Sequence, residues 1–496
     1  MNKPDIKQTR VAEFERLADP RLLKEFSYIN GQWRAAGSGQ TTAVTNPADG
    51  GWLADIPAMS VEEGVEAVTA ANAAFTNWAG LLPQQRSRIL QNWFRLQIEH
   101  KEDLALIMTL EQGKPLSESR GEIEYGASFI EFFAEQAKRP DIMSVTSHLP
   151  NAEVEVWLEP VGVAALVTPW NFPNAMITRK AAAALAVGCT VVVHPSKETP
   201  LSALALAELA ERAGIPAGVF NVITGSASEI VGAWSKDVRV RALSFTGSTE
   251  IGRLLYAQCA STIKRLSMEL GGHAPFIVFA DADIDKAVDE GIKAKFATSG
   301  QDCLGANRFY VERPVYEEFC QKFLAKAKAL TVDCGLNDPD IGPLMNIGAI
   351  NKQIEHIEDA LGKGASLLCG GTVLDLGPLF FAPTVLTDVP AGAKIMSEET
   401  FGPVAAIAPF DTEDEVIERS NETEYGLMAY VHTRDPSRIY RVSRALQFGM
   451  IGVNRTKVTG APIPFGGMKQ SGFGREGSHH GLESFSDIKY VCRDWS

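Results

Sequence analysis

Between residues 163 and 245 four apolar runs alternate with helical segments, and this alternation constrains the fold more than any other feature of the chain. The runs lie at 163–167, 190–193, 220–223 and 242–245, and the segment 201–213 reads as one of the intervening helices. A strand with no polar face needs cover on both sides, which a parallel sheet flanked by crossover helices provides. The pattern predicts a doubly wound α/β unit. Pro169, Pro195, Gly225 and Gly247 follow the runs, at the carboxyl ends where such sheets dock ligands.

The flanks are of other kinds. Asn30-Gly31 between Tyr28-Ile29 and Gln32-Trp33 predicts a hairpin, and Asn46-Pro47 another turn. Residues 61–138 read as several amphipathic helices, opening at Ser60 with Glu62 and Glu63 behind it. Residues 154–159 alternate as a half-exposed strand, and 485–492 are again strand-like. A second α/β region runs from about 274 to 466, with strands expected at 276–279, 309–311 and 405–409 and a helix at 315–330. A chain of 496 residues has room for two or three such domains.

A net charge of −14 argues against nucleic acid or an anionic membrane as the main partner. The longest nearly uncharged run, 181–193, is too short to span a bilayer and reads as a buried helix entering a buried strand. The first ten residues carry no apolar signal core. Seven scattered cysteines, with no CxxC and no metal-ligand spacing, fit free thiols in a reducing cytoplasm.

One cysteine stands apart. Gly300-Gln301-Asp302-Cys303 follows a helical stretch and precedes the strand at 309–311, so Cys303 lies among small and polar residues. Glu269-Leu270-Gly271-Gly272 reads as a turn near the boundary of the two α/β regions, and Trp170-Asn171-Phe172-Pro173 ends the first strand of the parallel unit. A thiol, a carboxylate and an amide are each expected on a turn. These segments, with Thr168-Pro169, Phe245-Thr246-Gly247-Ser248-Thr249, Met268, Glu399-Thr400-Phe401-Gly402-Pro403 and Pro464-Phe465-Gly466-Gly467, resemble the aldehyde dehydrogenase superfamily over nearly the whole chain.

The resemblance implies a Rossmann-like cofactor domain (1–145 and 164–273), a second α/β domain that is catalytic (274–466), and a small β oligomerisation arm (146–163 and 483–496). It implies a homodimer or homotetramer acting on a small-molecule aldehyde. Cys303 would add to the carbonyl and form a tetrahedral oxyanion. The Asn171 amide and the Cys303 backbone N–H would stabilise that charge. Hydride transfer to a nicotinamide would leave a thioester, and Glu269 would activate water to release the acid. Lys180 matches the family's helix lysine, whose charge would favour the thiolate. Relatives that pass the acyl group to coenzyme A lack the glutamate, so Glu269 implies hydrolysis.

On the cofactor side, the glycine turn 245–252 opens a helix whose N–H groups suit a pyrophosphate, with Ser248 touching it. Glu399 resembles the carboxylate on the nicotinamide ribose and Phe401 the ring beside it. Thr168, Pro169, Trp170, Gly225, Phe245, Gly247 and Leu270 complete the expected cofactor wall. Gly472-Phe473-Gly474-Arg475-Glu476-Gly477 is formally a GxGxxG, but no strand of a βαβ unit precedes it, so it is not the dinucleotide fingerprint. The chain departs from the family at His194-Pro195-Ser196-Lys197, where Lys-Pro-x-Glu or Lys-Pro-x-Ser is usual. His194 replaces the ribose lysine, and Lys197 replaces a carboxylate that would repel a 2′-phosphate. NAD or NADP is expected, with a tilt toward NADP.

On the substrate side, residues 175–180, 218–221 and 474–478 are most similar to the succinate-semialdehyde dehydrogenases. Arg179 matches that subgroup's carboxylate-binding arginine. Three departures modify the picture: Ala297 stands where the subgroup has a second arginine, Asp302 replaces an uncharged residue beside the thiol, and the loop 454–459 is more basic. Gly305 replaces the subgroup's second cysteine, so no thiol switch is expected. The expected substrate is an acid-bearing semialdehyde, or a longer or aromatic aldehyde, met by Arg179, Asp302, Arg455, Lys457, Thr459 and Phe465. Two other classes fit these residues less well. A cysteine hydrolase would need a histidine base for Cys303, and no histidine sits in a comparable turn; a non-catalytic scaffold would not need Cys303, Glu269 and Asn171 together.

Overall fold

The computed structural model describes residues 10–139 and 142–494. Its largest sheet has eight strands. Five parallel strands form the middle, in the spatial order Arg265–Glu269, Val240–Thr246, Val163–Val167, Thr190–His194, Phe220–Val222. The chain winds outward from 163–167 through 190–194 and 220–222, then returns to 240–246 on the other side. The direction of winding therefore reverses between 163–167 and 240–246, which opens a crevice at their carboxyl ends. Antiparallel strands close both edges: the hairpin Ser27–Ile29 with Gln32–Arg34 at one, Gly472–Phe473 at the other.

The second sheet has seven strands, in the order Ser366–Cys369, Thr384–Thr387, Val404–Phe410, Ala306–Glu312, Ala274–Val278, Met428–His432, Met450–Val453. All but the first pair run parallel. A third sheet joins Ser486–Asp494, Ala152–Pro160 and Ile142–Val145. The fold class is α/β, as the alternation of runs indicates.

Local chemistry explains most boundaries. Ser60 accepts from Glu63 N–H while the Glu63 carboxylate accepts from Ser60 N–H, a capping box that starts the helix Val61–Ala79. The helix Ala175–Val187 ends at Gly188, whose φ of +110° suits glycine. One expectation needs correcting. Glu269 is the last residue of a strand, not part of a turn; the chain leaves the sheet only at Leu270. Parallel pairing with 240–246 holds it there, and a five-residue local pattern with Arg265 exposed gives no sign of that pairing.

Candidate active site

Cys303 is partly buried and lines two cavities at once. The turn before it is held from several directions. Thr298, Ser299 and Gly300 all have left-handed φ (+50°, +57° and +74°), a conformation that costs energy for the first two. Tertiary bonds impose it: Glu118 accepts from Thr298 N–H at 3.0 Å, Ser299 Oγ donates to Gly342 O at 2.9 Å, and Gln301 Oε1 accepts from Met345 N–H at 2.9 Å. A Cβ on Gly300 would fall 2.3 Å from Gly402 O, so only glycine fits. Burial pushes the Cys303 thiol well above the usual range, and the neighbouring Asp302 carboxylate pushes it further; Arg179 opposes both.

Asn171 reaches the same turn. Its Nδ2 donates to Gln301 O at 3.1 Å, two residues before the sulfur's residue. A buried ion pair fixes the Asn171 segment. Lys114 Nζ donates to Asn171 O at 2.6 Å and to Glu122 Oε2 at 2.7 Å, and Glu122 Oε1 accepts from Asn174 and Ala175 N–H at the start of the helix that carries Arg179 and Lys180. Lys114 and Glu122 lie far apart from Asn171 in sequence, and no local motif marks them.

The Glu269 carboxyl is buried, and neither oxygen has a hydrogen-bond partner. Burial and the nearby charge of Glu476 raise its pKa well above the usual carboxylate range. The loop after it touches the nucleophile's segment: a Cβ on Gly272 would lie 2.3 Å from Cys303 O. Behind it sits a buried triad, in which Glu476 forms ion pairs with both Arg179 and Lys180. Burial alone would raise the Glu476 pKa, but the two cations overcome it and hold the group ionised. Lys180 is thereby engaged with Glu476, its own pKa lowered by burial, and Arg179 is the cation that acts on the thiol. Glu476 sits inside the glycine-rich segment rejected as a fingerprint. The signal available in sequence was the match of residues 474–478, which gave no role for the acid.

The cavity of about 340 Å³ on one side of Cys303 lies at the crevice of the parallel sheet. Pro169, Trp170, Asn171, Gly247, Ser248, Leu270, Glu399 and Phe401 line it. Trp170 and Phe401 meet edge to face at 5.7 Å. Glu399 accepts from Gly272 N–H at 2.9 Å, and burial raises its pKa to about 7. Thr246 Oγ1 is buried in the wall without a partner, and Ser248 caps the helix Thr249–Cys259 that points at the cavity. A helix start, a glycine turn and an unused hydroxyl fit a dinucleotide phosphate. Lys352, on the helix Ile347–Gly362, also lines this cavity and was not foreseen.

Three expected cofactor residues act from behind the wall. Phe245 is buried beneath the turn, its ring 2.5 Å from where a Gly247 Cβ would be. Thr168 N–H donates to His194 O. His194 ends its strand with the imidazole turned inward, edge-on to Trp234 at 6.2 Å; burial pushes its pKa down to about 4, so the ring is neutral and cannot replace a ribose lysine from there. Ser196, Lys197 and Gly225 do line a small neighbouring cavity with Pro195 and Thr224. Lys197 is exposed, and Ser196 bonds to Glu198.

The other cavity, about 510 Å³, is bounded by side chains from distant elements. Tyr125, Phe172, Arg179, Asp302, Lys457, Thr459 and Phe465 face it. The Arg179 guanidinium lies over the Phe465 ring at 4.2 Å. Arg455 is exposed and stands outside the lining. Glu118, Glu122, Glu290 and Lys293 line it too and were not foreseen, because each sits on a helix whose pattern shows only a polar face.

Comparison with known proteins adds independent findings. A family model described as the aldehyde dehydrogenase family matches residues 33–491. A succinate-semialdehyde dehydrogenase of Escherichia coli K12, named for NADP(+), is 52% identical over 478 residues, covering 96% of this chain and 99% of its own. A non-phosphorylating aspartate-semialdehyde dehydrogenase of Halomonas elongata is also 52% identical, over 96% of this chain and 97% of its own. A crystal structure described as an E. coli NADP dependent enzyme superposes with a TM-score of 0.96 at 51% identity, covering 97% of this chain and all of the other.

Proposed function

The chain belongs to the aldehyde dehydrogenase family, and from that premise we propose that it oxidises a carboxylate-bearing semialdehyde to the acid through a thioester on Cys303. The observation that carries this reading is the position of one sulfur at the junction of two cavities, one of them at the sheet's crevice. When bound there, NAD or NADP supplies the hydride acceptor. Cys303, as thiolate, adds to the carbonyl carbon. Asn171 Nδ2 keeps one hydrogen for the oxyanion while the other holds Gln301 O. Loss of hydride leaves the thioester. Glu269 takes a proton from water, the hydroxide adds to the thioester, and the acid leaves as the thiolate is restored.

Burial makes Glu269 and Cys303 both hold their protons more tightly than usual, so each must lose its proton before it can act as base or nucleophile. Arg179 and Lys457 recognise the substrate carboxylate in this reading. Lys197 faces the adenosine end, where an unpaired cation favours NADP. The seven-stranded region 274–466 serves the nucleophile, residues 1–145 and 164–273 serve the cofactor, and 146–163 with 483–496 form an arm. Ile488 and Tyr490 are exposed on that arm, which supports a homodimer or homotetramer. No helix among the described residues is long and apolar enough to cross a membrane.

A second reading of the substrate has its own support. Among the charges lining the larger cavity, Arg179 is paired with Glu476, Lys293 with Glu290, and Glu122 with Lys114. Glu118 accepts from Thr298, Asp302 accepts from Leu304 N–H and meets the Cys303 thiol, and burial raises the pKa of both. Two carboxylates outside any ion pair suit an aldehyde that carries an ammonium group as well as its acid, with Lys457 of the same lining left for the acid. The test is reduced-nicotinamide absorbance with succinate semialdehyde, an amino-bearing semialdehyde and a neutral aldehyde, each with both cofactors. Turnover of a semialdehyde above the neutral one supports the proposal, and a preference for the amino-bearing one supports the second reading. Turnover of none defeats both.

A further inference from the structure

Outside both cavities, three side chains converge on one point of the surface. The ligand atoms of His479, His480 and Glu483 all lie within 4.8 Å of one another, the one such group of histidine, cysteine or acidic residues found among the described residues. The two imidazole centroids are 3.9 Å apart, and His480 Nδ1 is 2.8 Å from Glu483 Oε1. His479 and Glu483 are exposed and His480 is half-buried.

The backbone builds this arrangement. Glu476 is buried, yet three residues later the chain is at the surface. Gly477 and Ser478 make that turn with φ of +69° and +48°. The second value is strained for a serine, and Ser478 Oγ accepts from His480 N–H at 3.2 Å to hold it. The turn sends the Glu476 carboxylate inward to Arg179 and Lys180 and both imidazoles outward.

We propose that His479, His480 and Glu483 bind a divalent transition-metal ion of the zinc or nickel class, and that the bound ion stiffens the turn leading to Glu476. Two imidazoles and one carboxylate are a borderline donor set, suited to zinc, nickel or copper rather than to calcium or magnesium, which prefer all-oxygen shells. Three protein ligands on a surface leave positions for water, so the ion exchanges freely. Binding also displaces the His480–Glu483 hydrogen bond, which is the competing state of the empty cluster.

The experiment is calorimetric titration of Ni²⁺ into the chelator-treated full chain at neutral pH, with thermal melting in parallel. Wild type is expected to show one saturable site and a rise in melting temperature with metal. The His479→Ala/His480→Ala double variant should lose at least about tenfold in affinity together with that rise, and Glu483→Gln should weaken binding to a smaller extent. His148→Ala, at an exposed histidine elsewhere, should behave as wild type. Equal isotherms for wild type and the double variant would overturn the proposal, as would the absence of saturable binding. Should the double variant misfold, His479→Gln serves in its place, and an isotherm for it identical to wild type counts equally against the site.

Discussion

On one side of Cys303 about half of the wall comes from the turns at 169–171, 247–248 and 270–271, each following a strand of one parallel sheet, and most of the rest comes from the segments 346–352 and 399–401. On the other side the wall is side chains, brought from the helices 116–136, 175–187 and 284–296 and from the loop 456–465. In the proposed reading the first side takes the cofactor and depends in part on backbone turns at the sheet's switch point, which few sequences can alter without losing the fold. The second side would take the substrate and presents charges that can be exchanged one at a time. On that reading selectivity would reside in the replaceable wall.

The comparison can be broken at its shared point. Cys303→Ala removes the group common to both walls; aldehyde oxidation should fall by about 10⁴-fold or more while cofactor binding, followed by quenching of tryptophan fluorescence, is retained. Loss of cofactor binding as well would mean that the two walls are not independent. Glu269→Gln should lower steady-state turnover by roughly 10²–10⁴-fold yet keep a burst of reduced nicotinamide, because hydride transfer precedes the step that needs the base. In wild type the raised Glu269 pKa makes the base form grow as pH rises, so turnover should climb into the alkaline range, and the variant should lose that limb.

Smaller changes sharpen the contrast. Asp302→Asn keeps an oxygen for Leu304 N–H but removes a negative charge beside the thiol. The Cys303 pKa should drop, so alkylation by iodoacetamide at neutral pH should speed up by about tenfold and its pH midpoint move down. An unchanged midpoint would leave burial and the carboxyls of Glu399 and Glu269 as the causes of the raised thiol. The smallest effect is expected at the exposed rim. Lys197→Glu should reduce the NADP-to-NAD ratio of kcat/KM by about three- to tenfold, and an unchanged ratio would mean that Lys197 does not meet the cofactor.

Much of this was legible before any coordinates. The four apolar runs specify a parallel sheet because strands buried on both faces have no other home, and the turns that end them had to carry the ligand groups. Asn171 and Cys303 were readable for the same reason: each sits beside a local signal for a turn. Even Glu269, wrongly expected in a turn, was found by its glycines, since Gly272 must approach the Cys303 backbone closely. His194 was misread because a strand's last residue can face either way, and only packing against Trp234 decides.

The residues without a signal in the sequence are mostly charged ones whose surroundings the fold decides. Lys114, Glu122 and Glu476 are charged, buried and paired, Lys114 with Glu122 eight residues on and Glu476 with Lys180 296 residues away, whereas Lys293 is exposed. A buried charge is tolerable only with its partner in place, and the partner's location is a fact of the packed chain. The order of residues settled the sheet and its turns, because these follow from near neighbours and periodicity, while the reacting atoms proposed here rest on motifs shared with the family. The way the cations and carboxylates are shared out around those atoms came only with the tertiary structure, because long-range pairing leaves no periodic trace.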